Sequence, residues 1–194
     1  MKKGRRNRRA PPRPRRKVIY VGCEGDSEQG YAALLQDLIE QRGLAVTLRP
    51  DVLNPGAGDP EALVRKAIQR IHARDYPKGR IAEILLDRDD RRQDPQKAES
   101  IRQLAQKLAD KEEIFLLWQI PNHEGFLLRH LPGCENENPS TAADAKHRLR
   151  QKWPEYKKPM DRKSLAKRIG WDEVRRAADR LPCLRWLLAK IGLL

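Results

Sequence analysis

Between residues 17 and 118, short apolar runs of strand type alternate with amphipathic helical stretches, and that alternation leaves the chain few ways to fold. Lys17-Val18-Ile19-Tyr20-Val21-Gly22 is rich in β-branched and aromatic residues, which suits a parallel strand covered on both faces. Tyr31, Leu34, Leu35, Leu38 and Ile39 recur at helical spacing over residues 28–42, and Gly43 is a natural stop. A second strand is expected over Leu44 to Leu53, then a loop of Gly and Pro at 54–60. Leu63, Val64, Ala67, Ile68 and Ile71 share one face of a helix from Glu61 to Ala73. Ile81 to Leu86 is a third strand, 96–110 a third helix and 113–118 a fourth strand. Such a β-α-β-α-β-α-β order implies a parallel sheet with right-handed crossovers. Helical patterns continue over 140–152, 161–169, 171–180 and 182–191. The fold expected is therefore α/β, with a sheet of about four parallel strands flanked by helices and a C-terminal helical extension. Its parts are a disordered basic tail (1–16), an α/β domain (17–135) and the extension (136–194).

Charge separates the tail from the body. The formal net charge is +14, but ten Lys or Arg and no acid fall within residues 1–17, leaving 31 basic against 27 acidic residues beyond them. Lys2, Lys3, Arg5, Arg6, Arg8 and Arg9 have almost nothing to bury. They form either a phosphate-binding arm or a solubilising tail. Cys23, Cys134 and Cys183 make no paired motif, which argues against a disulfide framework or a zinc knuckle and fits a reducing cytoplasm. No apolar run approaches the roughly 20 residues of a membrane span.

Two strand ends carry the chemistry. Ile84-Leu85-Leu86 stops in Asp87-Arg88-Asp89-Asp90. Residues i and i+2 of a strand share a face, so Asp87 and Asp89 leave it in the same direction and repel unless a cation lies between them. Mg²⁺ or Mn²⁺ suits an all-oxygen site of this kind. The first strand ends in Cys23-Glu24-Gly25-Asp26-Ser27-Glu28, where Asp26 or Ser27 is expected to cap the next helix. In open α/β sheets, ligands bind beyond the carboxyl ends of strands. Asn122-His123-Glu124 follows the fourth strand, with Asn122 expected as a cap and His123 as a surface histidine. No G-x-G-x-x-G follows the first strand and no P-loop is present, which removes the main support for dinucleotide binding and P-loop hydrolysis.

Glu24-Gly25-x-Ser27-Glu28 together with Asp87-x-Asp89 resembles the Toprim domain, in which a glutamate at the first strand end faces a D-x-D pair at the third. Within that group the chain is similar to RloB-like proteins over roughly residues 17–165. These share a basic tail, the Cys-Glu-Gly turn, an Asp-Arg-Asp motif, a segment met here by Asn122 to His130, and a Tyr-x-Lys met by Tyr156-Lys157-Lys158. The third segment departs from the pattern: Pro121 precedes the Asn instead of following it. The resemblance implies a Toprim-like sheet and a metal-dependent nuclease linked to restriction or anti-phage defence.

Asp87 and Asp89 then hold the metal, and Asp90 is either a third ligand or a group behind the ligands. Glu24 completes the coordination or acts as general base, and Glu124 is a further catalytic acid or a ligand for a second metal. Glu28 supports the ligands from the first helix. Arg88 meets a phosphate oxygen or caps the acids. Lys157, Lys158 and the tail contact the nucleic-acid backbone. The competing expectation is a non-catalytic Mg²⁺-binding module that serves nucleic acid or another defence subunit. The terminal amphipathic stretch either caps the domain or pairs with a second copy.

Overall fold

The computed structural model describes residues 16–53, 59–74, 81–87 and 95–194, with residues 81–87 described at the level of the backbone. The elements run β1 (Lys17–Cys23), α1 (Asp26–Gln41), β2 (Val46–Val52), α2 (Pro60–Ala73), β3 (Ile81–Asp87), α3 (Pro95–Lys111) and β4 (Ile114–Gln119). There follow α4 (His123–Leu128), α5 (Ala142–Lys152), α6 (Arg162–Leu165), α7 (Trp171–Ala178) and α8 (Pro182–Ile191). The strands form one parallel sheet in the order β2-β1-β3-β4.

That order sets the position of the site. The chain leaves β1 for β2 on one side, then returns across β1 to β3 on the other. The point where the direction reverses lies between the carboxyl ends of β1 and β3, and a crevice opens there in sheets of this topology.

Side-chain alternation feeds two cores. Ile19, Val21 and Cys23 join a cluster with α1 residues such as Tyr31 and Leu35, while Tyr20 points to the opposite cluster with Leu63, Val64, Ala67 and Ile71 of α2 and Ala105 and Ala109 of α3. The C-terminal helices build onto the α1 side: Leu149, Trp153, Leu165, Val174, Leu187 and Ile191 belong to the same apolar cluster as β1. The apolar face of α8, with Leu184, Leu187, Leu188 and Ile191, is buried within this cluster. The tryptophans pack: Trp153 is buried, Trp186 stacks on Phe115 with centroids 3.8 Å apart, and the Arg42 guanidinium lies over Trp171 at 4.1 Å.

Three local expectations are corrected. Helix α1 is capped by Gly25 and not by Asp26 or Ser27, because Glu28, three residues on, returns its Oε2 to accept from the Gly25 N–H at 3.0 Å. The second strand is shorter than Leu44–Leu53. Its exposed edge is capped by Gln36 of α1, whose Oε1 accepts from the Leu48 N–H at 2.7 Å. The helix expected over 161–169 is the single turn α6, begun by Asp161, whose side chain accepts from the Ser164 N–H at 2.8 Å.

Candidate functional site

The carboxyl end of β1 carries Glu24, one residue past Cys23. Cys23 is the register partner of Leu85, and β3 ends two residues later at Asp87, itself opposite Gln119 of β4. The backbone therefore brings the ends of β1, β3 and β4 to one edge of the sheet, with Glu24, Asp87 and Gln119 on successive strands. The side chain of Asp87 lies outside the described residues, as do Arg88, Asp89, Asp90 and the tail residues Lys2, Lys3, Arg5, Arg6, Arg8 and Arg9.

Helices α1 and α4 supply what surrounds that edge. Asn122 caps α4 through Oδ1, which accepts from the Gly125 N–H at 3.1 Å. Its amide donates to Glu124 Oε2 at 2.6 Å. Glu124 is 3% exposed, and its Oε1 accepts from the Tyr156 hydroxyl at 3.3 Å and lies 3.5 Å from the Lys158 ammonium. Glu28, also 3% exposed, faces His123 Nδ1 at 3.4 Å. The Gln119 side chain reaches the same Nδ1 at 3.0 Å through its nitrogen. His123, expected at the surface, is fully buried: every residue of α4 is buried, with α5 packed against the helix and Tyr31 of α1 meeting the His123 ring edge-on. Among the described residues, its Nε2 has no hydrogen-bond partner, and neither does the Ser27 hydroxyl.

The electrostatics follow from burial. Burial raises the Glu28 carboxyl above its ordinary range and Glu124 adds to that rise, while the helix backbone, Lys158 and the Gly25 N–H pull it back. Burial holds His123 down at about 3, with Lys158 acting in the same direction, so the ring is neutral. Behind it, burial holds His130 at about 4. Its Nδ1–H donates to the Phe126 carbonyl at 3.0 Å, which leaves Nε2 to accept from the Tyr31 hydroxyl at 2.9 Å.

Lys158 therefore sits among acids, where the sequence suggested a backbone-phosphate contact. Lys157 beside it is exposed. No local pattern signals that Glu124 and Glu28 are both buried, or that Tyr156 meets Glu124 and His123 lies beside Glu28. The Tyr-x-Lys spacing was the only signal, and Tyr156 and Lys158 do converge on one oxygen of Glu124.

Among the described residues, no group of three or more His, Cys, Asp or Glu is arranged to hold a metal ion. Carboxylate oxygens are the donor type a hard divalent cation takes; those of Glu28 and Glu124 face protein partners, while Glu24 and Asp87 stand at the ends of paired strands.

The RloB-like family model matches residues 19–181. The chain belongs to the RloB-like family. The match runs from within β1 through the other three strands and the helices to α7. No curated protein matches the chain, and no solved structure does. Among the described residues, no helix is long and apolar enough to cross a membrane.

Proposed function

We propose that this RloB-like protein is a Toprim-type, metal-dependent nuclease that hydrolyses nucleic-acid phosphodiesters in a restriction-linked or anti-phage setting. The observation that carries the proposal is the sheet order β2-β1-β3-β4, which makes the Glu24 and Asp87 strand ends neighbours at the point where the topology reverses. Asp87 and Asp89 would hold Mg²⁺ or Mn²⁺, with Asp90 beside them and Glu24 completing the coordination or taking a proton. When bound, the ion supplies charge neutralisation at the scissile phosphate and an acidified water.

The chain's own residues do the rest. Asn122 and Tyr156 fix the Glu124 carboxylate by hydrogen bonds to different oxygens, so its direction is set before substrate arrives. Lys158, whose side chain is 45% exposed, lies between that carboxylate and solvent and is able to meet an incoming phosphate oxygen. The Gly25 N–H holds one oxygen of Glu28, and neutral His123 lies beside the other without adding a charge. The basic tail and Lys157 contribute affinity that is blind to sequence and sensitive to salt.

Cleavage of labelled transfer RNA, single-stranded DNA and plasmid, with Mg²⁺ or Mn²⁺, tests the proposal. At least one substrate is expected to be cut, with a loss of about 100-fold or more in Asp87→Ala and Glu24→Ala, in line with removal of a catalytic electrostatic group. Cutting that survives both substitutions rejects the site. Binding without cutting of any substrate turns the reading to the regulatory module.

A further inference from the structure

A cleft of about 620 Å³ opens beside the acidic edge, between α1, β2 and the segment 159–164. One wall is Asp26, Gln29 and Ala33 of α1, and the facing wall includes Pro159, Asp161 and Arg162. The walls touch where Gly30 lies against the Met160 carbonyl, a contact that leaves no room for a side chain. An ion pair from Arg162 to Asp37 at 2.9 Å ties α6 back to α1. Each wall begins at the candidate site. Asp26 is two residues from both Glu24 and Glu28, and Pro159 directly follows Lys158.

We propose that this cleft receives one unpaired nucleobase of a single-stranded substrate, next to the phosphate at the acidic edge. Three observations converge on that occupant. The cleft's volume is that of a small-ligand site. Its apolar lining, Ala33, Pro50 and Pro159, suits a flat ring, while the carboxylates of Asp26 and Asp161 repel phosphate and accept from ring or amino N–H groups. Within the cleft, Arg162 is paired with Asp37, and further cations stand outside it. Lys157, Lys163, Lys167 and Arg168 are exposed along the same segment, suited to a backbone that passes over the mouth. They belong to a wider asymmetry: residues 136–194 carry 15 Lys or Arg against 7 Asp or Glu, whereas residues 18–135 carry 16 against 20. A base paired within a duplex cannot enter such a cleft without leaving its stack, so the inference selects single strands or loops. It rests on the nuclease reading for the position of the phosphate.

The test is fluorescence anisotropy of the full chain with a labelled 12-nucleotide single strand and with the corresponding blunt duplex, beside cleavage of the same strand. Ala33→Phe fills the cleft. The double variant Lys163→Glu, Lys167→Glu reverses two exposed charges without touching the core. Circular dichroism melting establishes that each variant is folded. Wild type is expected to bind the single strand more tightly than the duplex, with affinity for the single strand falling about tenfold in Ala33→Phe and in the charge variant. The duplex is expected to change by less than about twofold in Ala33→Phe. Equal binding by wild type and Ala33→Phe, a preference for duplex, or no binding of either probe overturns the proposal. A cleft-dependent preference without cleavage keeps the cleft and rejects the nuclease. Metal-dependent cleavage with unchanged Ala33→Phe binding does the reverse.

Discussion

Glu28 shows how one buried acid does two jobs. One oxygen closes the first turn of α1 on the Gly25 N–H, and the other faces His123 across the α1–α4 contact. Such a carboxylate is costly to bury unless its lone pairs are met. The neutral histidines below it set a pH dependence. His123 and His130 titrate at about 3 and about 4 in the fold, against 6.5 in the unfolded chain. Below pH 6.5 the unfolded chain therefore takes up protons that the folded chain refuses. Stability present above pH 6.5 is lost as the pH falls toward 4, by up to about 1.4 kcal/mol per pH unit for each ring. Glu28 opposes this, because its raised carboxyl takes a proton in the fold first and returns part of the loss. Urea midpoints at pH 7.5, 6 and 5 are expected to fall in that order, and a flat series would contradict neutral, buried rings.

At the scale of elements, α1 decides the packing. Helix propensity favours Ala over Gly at position 30 by about 0.8–1 kcal/mol, but a methyl there runs into the Met160 carbonyl oxygen. Overpacking against backbone costs about 1–3 kcal/mol, so packing wins and Gly30→Ala is expected to lower the melting temperature. A higher melting temperature would show that the 159–164 segment gives way freely. The same helix shows what a sequence displays and what it hides. Its apolar stripe from Tyr31 to Ile39 is a local period and reads directly as a helix. Its start at Asp26 is set by Glu28 reaching back to Gly25, where Asp26 and Ser27 were the better caps by residue type. In the same way, α4 reads as a short helix capped by Asn122. The full burial of His123 comes from Tyr31 and Glu28, more than ninety residues earlier in the chain, and no local pattern reports it.

Across the whole molecule, the alternation of strand and helix reads as a parallel α/β sheet because each crossover is local and its hand is fixed. The C-terminal helices were legible as helices, but their partner was not: residues from Leu149 to Ile191 share one apolar cluster with β1 and α1. That union carries Tyr156 and Lys158 to Glu124 and makes the C-terminal layer part of the candidate site. The two acidic motifs were legible as strand ends, and the sheet order makes those ends neighbours. A metal-dependent site at this edge requires that the two strand ends share a cation. Calorimetric titration of Mn²⁺ into the wild type, Glu24→Ala and Asp87→Ala measures this without reference to catalysis. Binding in the wild type that weakens at least about tenfold in each single variant is the result expected for one ion held from both strand ends. Unchanged affinity in either variant, or no binding to the wild type, would contradict it.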